Sequence, residues 1–259
     1  MNAGFWQGGA VRWTAVWLRN LRVWRKLIGP ALLGNIGEPL LYLFALGYGL
    51  GSFVGEVQGM AYVVYLASGT VCASAMNTAS FEGMYSAYTR MAVQDTWMGM
   101  LTAPLDLGDI IIGETLWGGT KSLISAAAIL VIATAMGLVA DWRALWVLPI
   151  ALLVGTCFAA LALLMTALAR NYDFFLYYFT LFITPLLLLS GVFFPLEQMP
   201  EVVQTGARFF PLYHAVMLVR PLMTGAMPSD VALHLGVIAL YALIAIPVAT
   251  WLIRRRLMK

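Results

Sequence analysis

The chain has 259 residues, 62% of them hydrophobic and only 10% charged, with a net charge of +3 and a mean hydropathy of +0.86. A soluble domain carries roughly a quarter charged residues, so this composition excludes a globule bathed in water and points to an all-α integral membrane protein. No basic stripe lies away from the chain ends, which argues against a nucleic-acid partner.

The opening "MNAGFWQGGAVRW" has no compact apolar core followed by a cleavage site, so no removable signal peptide is expected. Residues 10–27 then place Trp13, Val16, Trp17, Val23, Trp24 and Leu27 at helical spacing, with Arg12, Arg19, Arg22 and Lys26 largely between them. That pattern is an interfacial amphipathic helix, tryptophans at headgroup depth and arginines toward anionic lipid. The alternative reading is a mere topology anchor.

A spanning helix needs about 20 mostly apolar residues. Six segments qualify: 30–53, 60–81, 111–138, 144–169, 174–195 and 231–253. Six spans leave both termini on one side. Of the Lys and Arg residues outside the spans, 11 fall on that side and 3 (Arg143, Arg208 and Arg220) on the other. The positive-inside bias therefore makes the termini cytoplasmic. Cys72 and Cys157 sit inside apolar runs and read as small apolar residues rather than a disulfide.

Between spans two and three lies "TRMAVQDTWMGMLTAPLDLGD", too long for a hairpin loop and too polar to cross a bilayer. The spacing predicts a cytoplasmic helix over 84–103, with Tyr85, Tyr88, Met91, Asp95 and Met98 near one face and Pro104 ending it. Because Arg90 and Asp95 lie outside the spans, charge reversal at either is expected to spare the fold. An inert linker lying on lipid has the same pattern. "GETLWGGTKS" is no phosphate loop, since Thr120 precedes Lys121 and no strand comes before it.

Before the last span, Pro195, Pro200, Pro211 and Pro221 break the chain into stretches too short to cross. These read as two re-entrant outer helices within 199–223, roughly 199–209 and 212–223. His214 and His234, twenty residues apart on different elements, have poor metal spacing and read as packing residues. No catalytic constellation, metal set or ATP site emerges, and no acid lies at a midplane as an ion-coupled carrier would require. Glu38, Glu82 and Glu114 lie near cytoplasmic span ends. Each is a gate or salt-bridge candidate for Arg90 or Lys121, or simply snorkels at the interface.

Together with "GEPLLYLFALGYGLG" (37–51), "LASG" (66–69), the block 89–114, "YDFFLYYFTLFITPLLLLSGVFFPLEQMP" (172–200) and "PLYHAVMLVRPLMTG" (211–225), this layout resembles the type-2 permeases of ABC exporters, and among them the nodulation protein J-like permeases. The resemblance covers most of the chain, as a single permease domain over 1–259. It implies a homodimer in the bacterial inner membrane, served by two copies of a separate ABC ATPase that binds ATP and Mg. This chain itself then needs no cofactor. It further implies that Tyr85, Tyr88, Arg90, Met91, Asp95 and Met98 form a coupling helix for that ATPase. Spans one and five then meet at the dimer seam. This makes Tyr42, Tyr48, Phe175, Tyr178 and Phe182 cargo-path candidates for an amphiphile such as a lipo-oligosaccharide, a glycolipid or a drug-like molecule. A stand-alone membrane enzyme or channel, working without an ATPase, is the rival class.

Overall fold

The computed structural model of the protein describes residues 11–257, apart from the side chains of residues 30–33, 35, 36 and 38. Helix α1 (Trp13–Arg25) carries Arg22 and Arg25 in its last turn, where they meet the negative end of the helix dipole. Its face bearing Val16 and Asn20 is buried, so α1 packs against protein on the side expected to meet lipid. Helix α2 (Ile28–Tyr42) contains Pro39, which removes one helical hydrogen bond, and the backbone widens just beyond it into a π-helical stretch, Leu43–Leu50. A short α3 (Gly51–Val54) follows.

Strands β1 (Glu56–Val57) and β2 (Met60–Ala61) form a two-residue hairpin. Its turn uses Gln58 and Gly59 at positive φ (52° and 75°), as the tight twisted turn demands. Helix α4 (Tyr62–Phe81) is the buried centre, rich in Ala, Ser, Thr and Gly. Small residues there let neighbouring backbones approach closely. Gly69 is one such place, where a Cβ would come within 2.4 Å of the Val192 carbonyl oxygen.

The helix does not stop at Phe81. It continues through two π-helical turns, Glu82–Ser86 and Thr89–Val93, and breaks at Asp95, whose φ of 50° is left-handed. Helix α5 (Thr96–Leu101) comes next. The single helix expected over 84–103 is thus a continuation of α4 and a separate short helix. A capping box between Asp106 and Asp109 then starts α6 (Leu107–Ala135).

Helix α7 (Val147–Leu168) crosses α6 where Gly118, Gly119 and Gly155 remove side-chain bulk. Helix α8 (Phe174–Tyr178), a π-helical stretch Phe179–Ile183 and α9 (Thr184–Leu189) form one run that ends at the Ser190–Gly191 turn. Helices α10 (Glu201–Ala207) and α11 (Pro211–Met223) occupy the segments expected to be re-entrant, and α12 (Val231–Leu257) closes the chain. Among the described residues, three helical stretches are long and apolar enough to cross a membrane: Leu107–Ala135, Trp142–Leu168 and Val231–Leu257. Pro39–Val54 and Phe174–Leu189 are shorter apolar helices.

Candidate functional site

At the end of α4 that leads into the polar segment, four chain segments converge on a buried ion cluster. The continuation of α4 supplies Glu82 and Arg90. Helix α6 supplies Glu114, Trp117 and Lys121, which share a face at three- and four-residue spacing. Arg90 donates through Nε to Glu114 Oε1 at 2.9 Å and through Nη2 to Glu82 Oε1 at 2.8 Å, and also to Glu114 Oε2. Lys121 Nζ donates to Glu82 Oε2 at 2.8 Å.

Neutral donors take up the remaining lone pairs. Trp117 Nε1 donates to Glu82 at 3.1 Å, Trp97 Nε1 of α5 to Glu114 at 3.1 Å, and Asn20 Nδ2 of α1 to Glu114 at 3.1 Å. Both carboxylates are almost fully buried, yet two cations balance two anions. Burial by itself would raise the Glu82 carboxyl. The Arg90 guanidinium and Lys121 ammonium outweigh it and hold that group down to about 2. Burial would likewise lower Arg90, and Glu114 and Glu82 instead raise it.

Helix α1 reaches this cluster because residue 113 is glycine. A Cβ there would lie 2.6 Å from Val16 Cβ and 2.8 Å from the Trp13 carbonyl oxygen. Trp17 Nε1 donates to Thr120 Oγ1 at 2.9 Å, and the Trp17 and Trp24 rings meet Trp117 edge-on at 6.3 and 6.1 Å. These tryptophans are therefore engaged with α6.

The polar segment's side chains do not form the one outward face that the spacing suggests. Tyr88 and Met91 are buried, and Arg90 is locked in the cluster. Tyr85 stacks on Phe81 (5.5 Å) and on Tyr172 (6.1 Å). Tyr88 donates to the Arg170 carbonyl at 2.7 Å. What the segment exposes is its tip: Ala92, Val93, Gln94 and Asp95, then Met98 and Gly99. The physical reason is the pair of π turns, whose wider winding rotates every later side chain away from a regular helical register. The expectation of a fold indifferent to charge reversal is at odds with Arg90, which bridges two buried carboxylates, whereas Asp95 is exposed.

A cleft of about 510 Å³ separates the α2 run from the α8–α9 run, with α4 as its floor. Of the five cargo-path candidates, Tyr42 borders it. Tyr48 is about half exposed at 51%. Phe175 is fully buried, set edge-on to Tyr85 and Tyr88, and Tyr178 is buried and stacked on Phe182 at 5.2 Å. Phe179 also lines the cleft, as do Phe81, Asn77 and Phe193, which the sequence reading missed as liners. The side chain of Glu38 lies outside the described residues.

Two histidines far apart in sequence also meet. His214 Nδ1 and His234 Nδ1 are 2.7 Å apart, and His214 Nε2 faces the Arg208 carbonyl at 2.8 Å. A carbonyl only accepts, so Nε2 carries the His214 proton and Nδ1 accepts from His234. No local pattern signals such a pairing between α11 and α12.

Comparison with known proteins matches residues 12–224 to the family described as ABC-2 type transporter. The chain is 47% identical to "Nodulation protein J" of Rhizobium leguminosarum bv. trifolii, over 97% of its own length and 96% of that protein. It is 42% identical to "Nodulation protein J" of Rhizobium meliloti, over 95% and 94% of the two chains. It is 25% identical to "Inner membrane transport permease YadH" of Escherichia coli, over 82% and 81%.

Proposed function

The chain belongs to the ABC-2 type transporter family, and on that premise we propose that it is the permease of an exporter that carries an amphiphile out of the cytoplasm or inner leaflet. Membership makes it a membrane-embedded, non-catalytic transport subunit that works with an ABC ATPase. The finer reading has six spans in the bacterial inner membrane with both termini cytoplasmic, a homodimer, and two ATPase copies that bind ATP and Mg. The cargo is of the lipo-oligosaccharide, glycolipid or drug-like class, passing along the cleft between the α2 and α8–α9 runs.

The observation that carries the coupling part of this reading is the ion cluster. The exposed tip 92–95 is flanked on one side by the locked Arg90 and on the other by the buried Trp97, both bound to Glu114 of the long helix α6. A push on the tip is thereby delivered to α6 and, through Asn20, to α1. Asp95 and Met98 are the ATPase contacts in this scheme. Tyr85, Tyr88, Arg90 and Met91 act behind them as the rigid mount.

The test is reconstitution. Vesicles holding the chain and its cognate ATPase should transport cargo with ATP, and vesicles holding the chain alone should not. Transport without the ATPase would establish the channel or stand-alone reading instead. Asp95→Arg should weaken ATPase co-purification about tenfold or more, while Glu201→Arg, exposed on α10 at the other end of the molecule, should leave it unchanged. Equal association in all three proteins would remove the tip from the interface.

A further inference from the structure

We propose that the polar pocket at the opposite end of α4 from the ion cluster is a binding site for a small oxyanion, either free in solution or borne on a lipid headgroup. The pocket has a volume of about 370 Å³ and lies between the hairpin, the start of α4, the turn after α9, and helices α10 and α11. This is within the size range of small-molecule sites, roughly 300–1,000 Å³.

Arg220 of α11 is one of its walls. Nε donates to Ser68 Oγ at 3.0 Å, Nη2 donates to the Gly191 carbonyl at 2.6 Å, and the guanidinium carbon lies 3.6 Å from the centre of the Tyr65 ring. Among the described residues no carboxylate comes within ion-pair distance of it, and its remaining polar neighbour is the Tyr65 hydroxyl. Two neutral acceptors and a cation–π stack offset only part of the cost of burying a charge. Burial accordingly lowers the Arg220 pKa despite the help of Tyr65.

A second observation points the same way. Ser190 is fully buried, lines the same pocket, and its hydroxyl has no partner. A buried polar group left without a partner is uncommon in a native structure and costs stability. Arg208 adds another guanidinium at the wall, exposed and without an acid partner among the described residues. The one carboxylate in the lining, Glu197, is exposed and hydrogen-bonded by Gln58 at 2.9 Å. Two cations face one anion, the Ser190 hydroxyl is free to donate, and the Arg220 guanidinium has five N–H donors against the few neutral acceptors around it. An oxyanion accepts from both and supplies the missing countercharge.

The permease reading enters only in placing this pocket on the outer side of the membrane. Binding itself requires no ATPase, so its failure and the failure of that reading are separate results. The experiment uses the full chain in phosphatidylcholine nanodiscs, titrated calorimetrically with inorganic phosphate and with sulfate. A parallel arm uses mixed discs and measures retention of phosphatidylglycerol over phosphatidylcholine by mass spectrometry. Saturable phosphate or sulfate binding assigns the site to a soluble oxyanion, and selective phosphatidylglycerol retention assigns it to a headgroup. Either signal should weaken at least tenfold in Ser190→Ala and vanish in Arg220→Gln. Ser190 has no hydrogen bond to lose, so its variant keeps the test readable if Arg220→Gln does not fold. Absence of both signals, or a signal that Ser190→Ala leaves unchanged, overturns the proposal.

Discussion

Arg90 and Arg220 stand at opposite ends of the same buried helix and are treated in opposite ways. Tyr65 and Glu82, which mark the two ends, are separated by about 25 Å at the helical rise. Arg90 is held by two carboxylates whose other lone pairs go to a lysine, two indoles and an amide. Arg220 is held by a hydroxyl, a carbonyl and a ring face. The first arrangement is electrically closed and ties four chain segments into one body. The second leaves a cation with donors to spare beside an open pocket. Burial of a charge therefore says little until its partners are counted: a neutralised cluster serves as a joint, and an unneutralised one is set up to receive a ligand.

The comparison breaks most visibly at Arg90. Arg90→Leu strands the buried Glu114 carboxylate and leaves Glu82 with Lys121 alone, and should cost about 3–5 kcal/mol, read as a lower melting temperature and loss of monodisperse protein in detergent. Adding Glu114→Gln should recover much of that loss, because the stranded charge goes with it while Lys121 keeps Glu82 paired. A melting temperature within experimental scatter of the parent for Arg90→Leu alone would show that the cluster is not a structural joint.

Gly113→Ala attacks the same cluster from outside. The new methyl meets Val16 and the Trp13 carbonyl and pushes α1 off α6, at about 1–3 kcal/mol for an overpacked contact. Quenching of the Trp17 and Trp24 fluorescence should change with it, since both rings rest on Trp117. An unchanged spectrum and stability would mean that α1 is not held by this contact.

Arg220→Met should cost less, about 1–2 kcal/mol, since it removes two bonds to neutral acceptors and a ring stack and strands no carboxylate. A cost as large as that of Arg90→Leu would erase the distinction between the two arginines.

The smallest expected effect concerns pH. The Glu82 carboxyl is depressed from 4.5 to about 2 in the folded chain. Its contribution is therefore complete above the unfolded value and is lost only as pH falls toward 2. Between pH 7 and 5 the melting temperature should show no loss from Glu82. A drop across that window that Glu82→Gln abolishes would show that the carboxylate is not held by its two cations.

Hydropathy along the chain was enough to establish a helical membrane protein, because apolar transfer energy adds residue by residue and needs no partner to be counted, while of the six segments it suggested three are long, apolar helices among the described residues. The motif blocks fixed the permease class in the same local way, and the tight hairpin turn, the capping box and the glycine-lined crossings are local signals too. The facing of polar side chains had to wait for the tertiary structure. Arg90 was read as an outward ATPase contact because the resemblance makes its segment a coupling helix. Two π turns and the docking of α1 and α6 turn it inward instead. Phe175 was read as lining a path and is core, since α8 lays that ring against Tyr85 and Tyr88. His214, His234, Arg220 and Ser190 carry no sequence signature, because each is defined by a partner, or by the lack of one, on an element distant along the chain. A charge in a low-dielectric interior has its energy set by what lies within a few ångströms of it, and only the packed fold decides which residues those are.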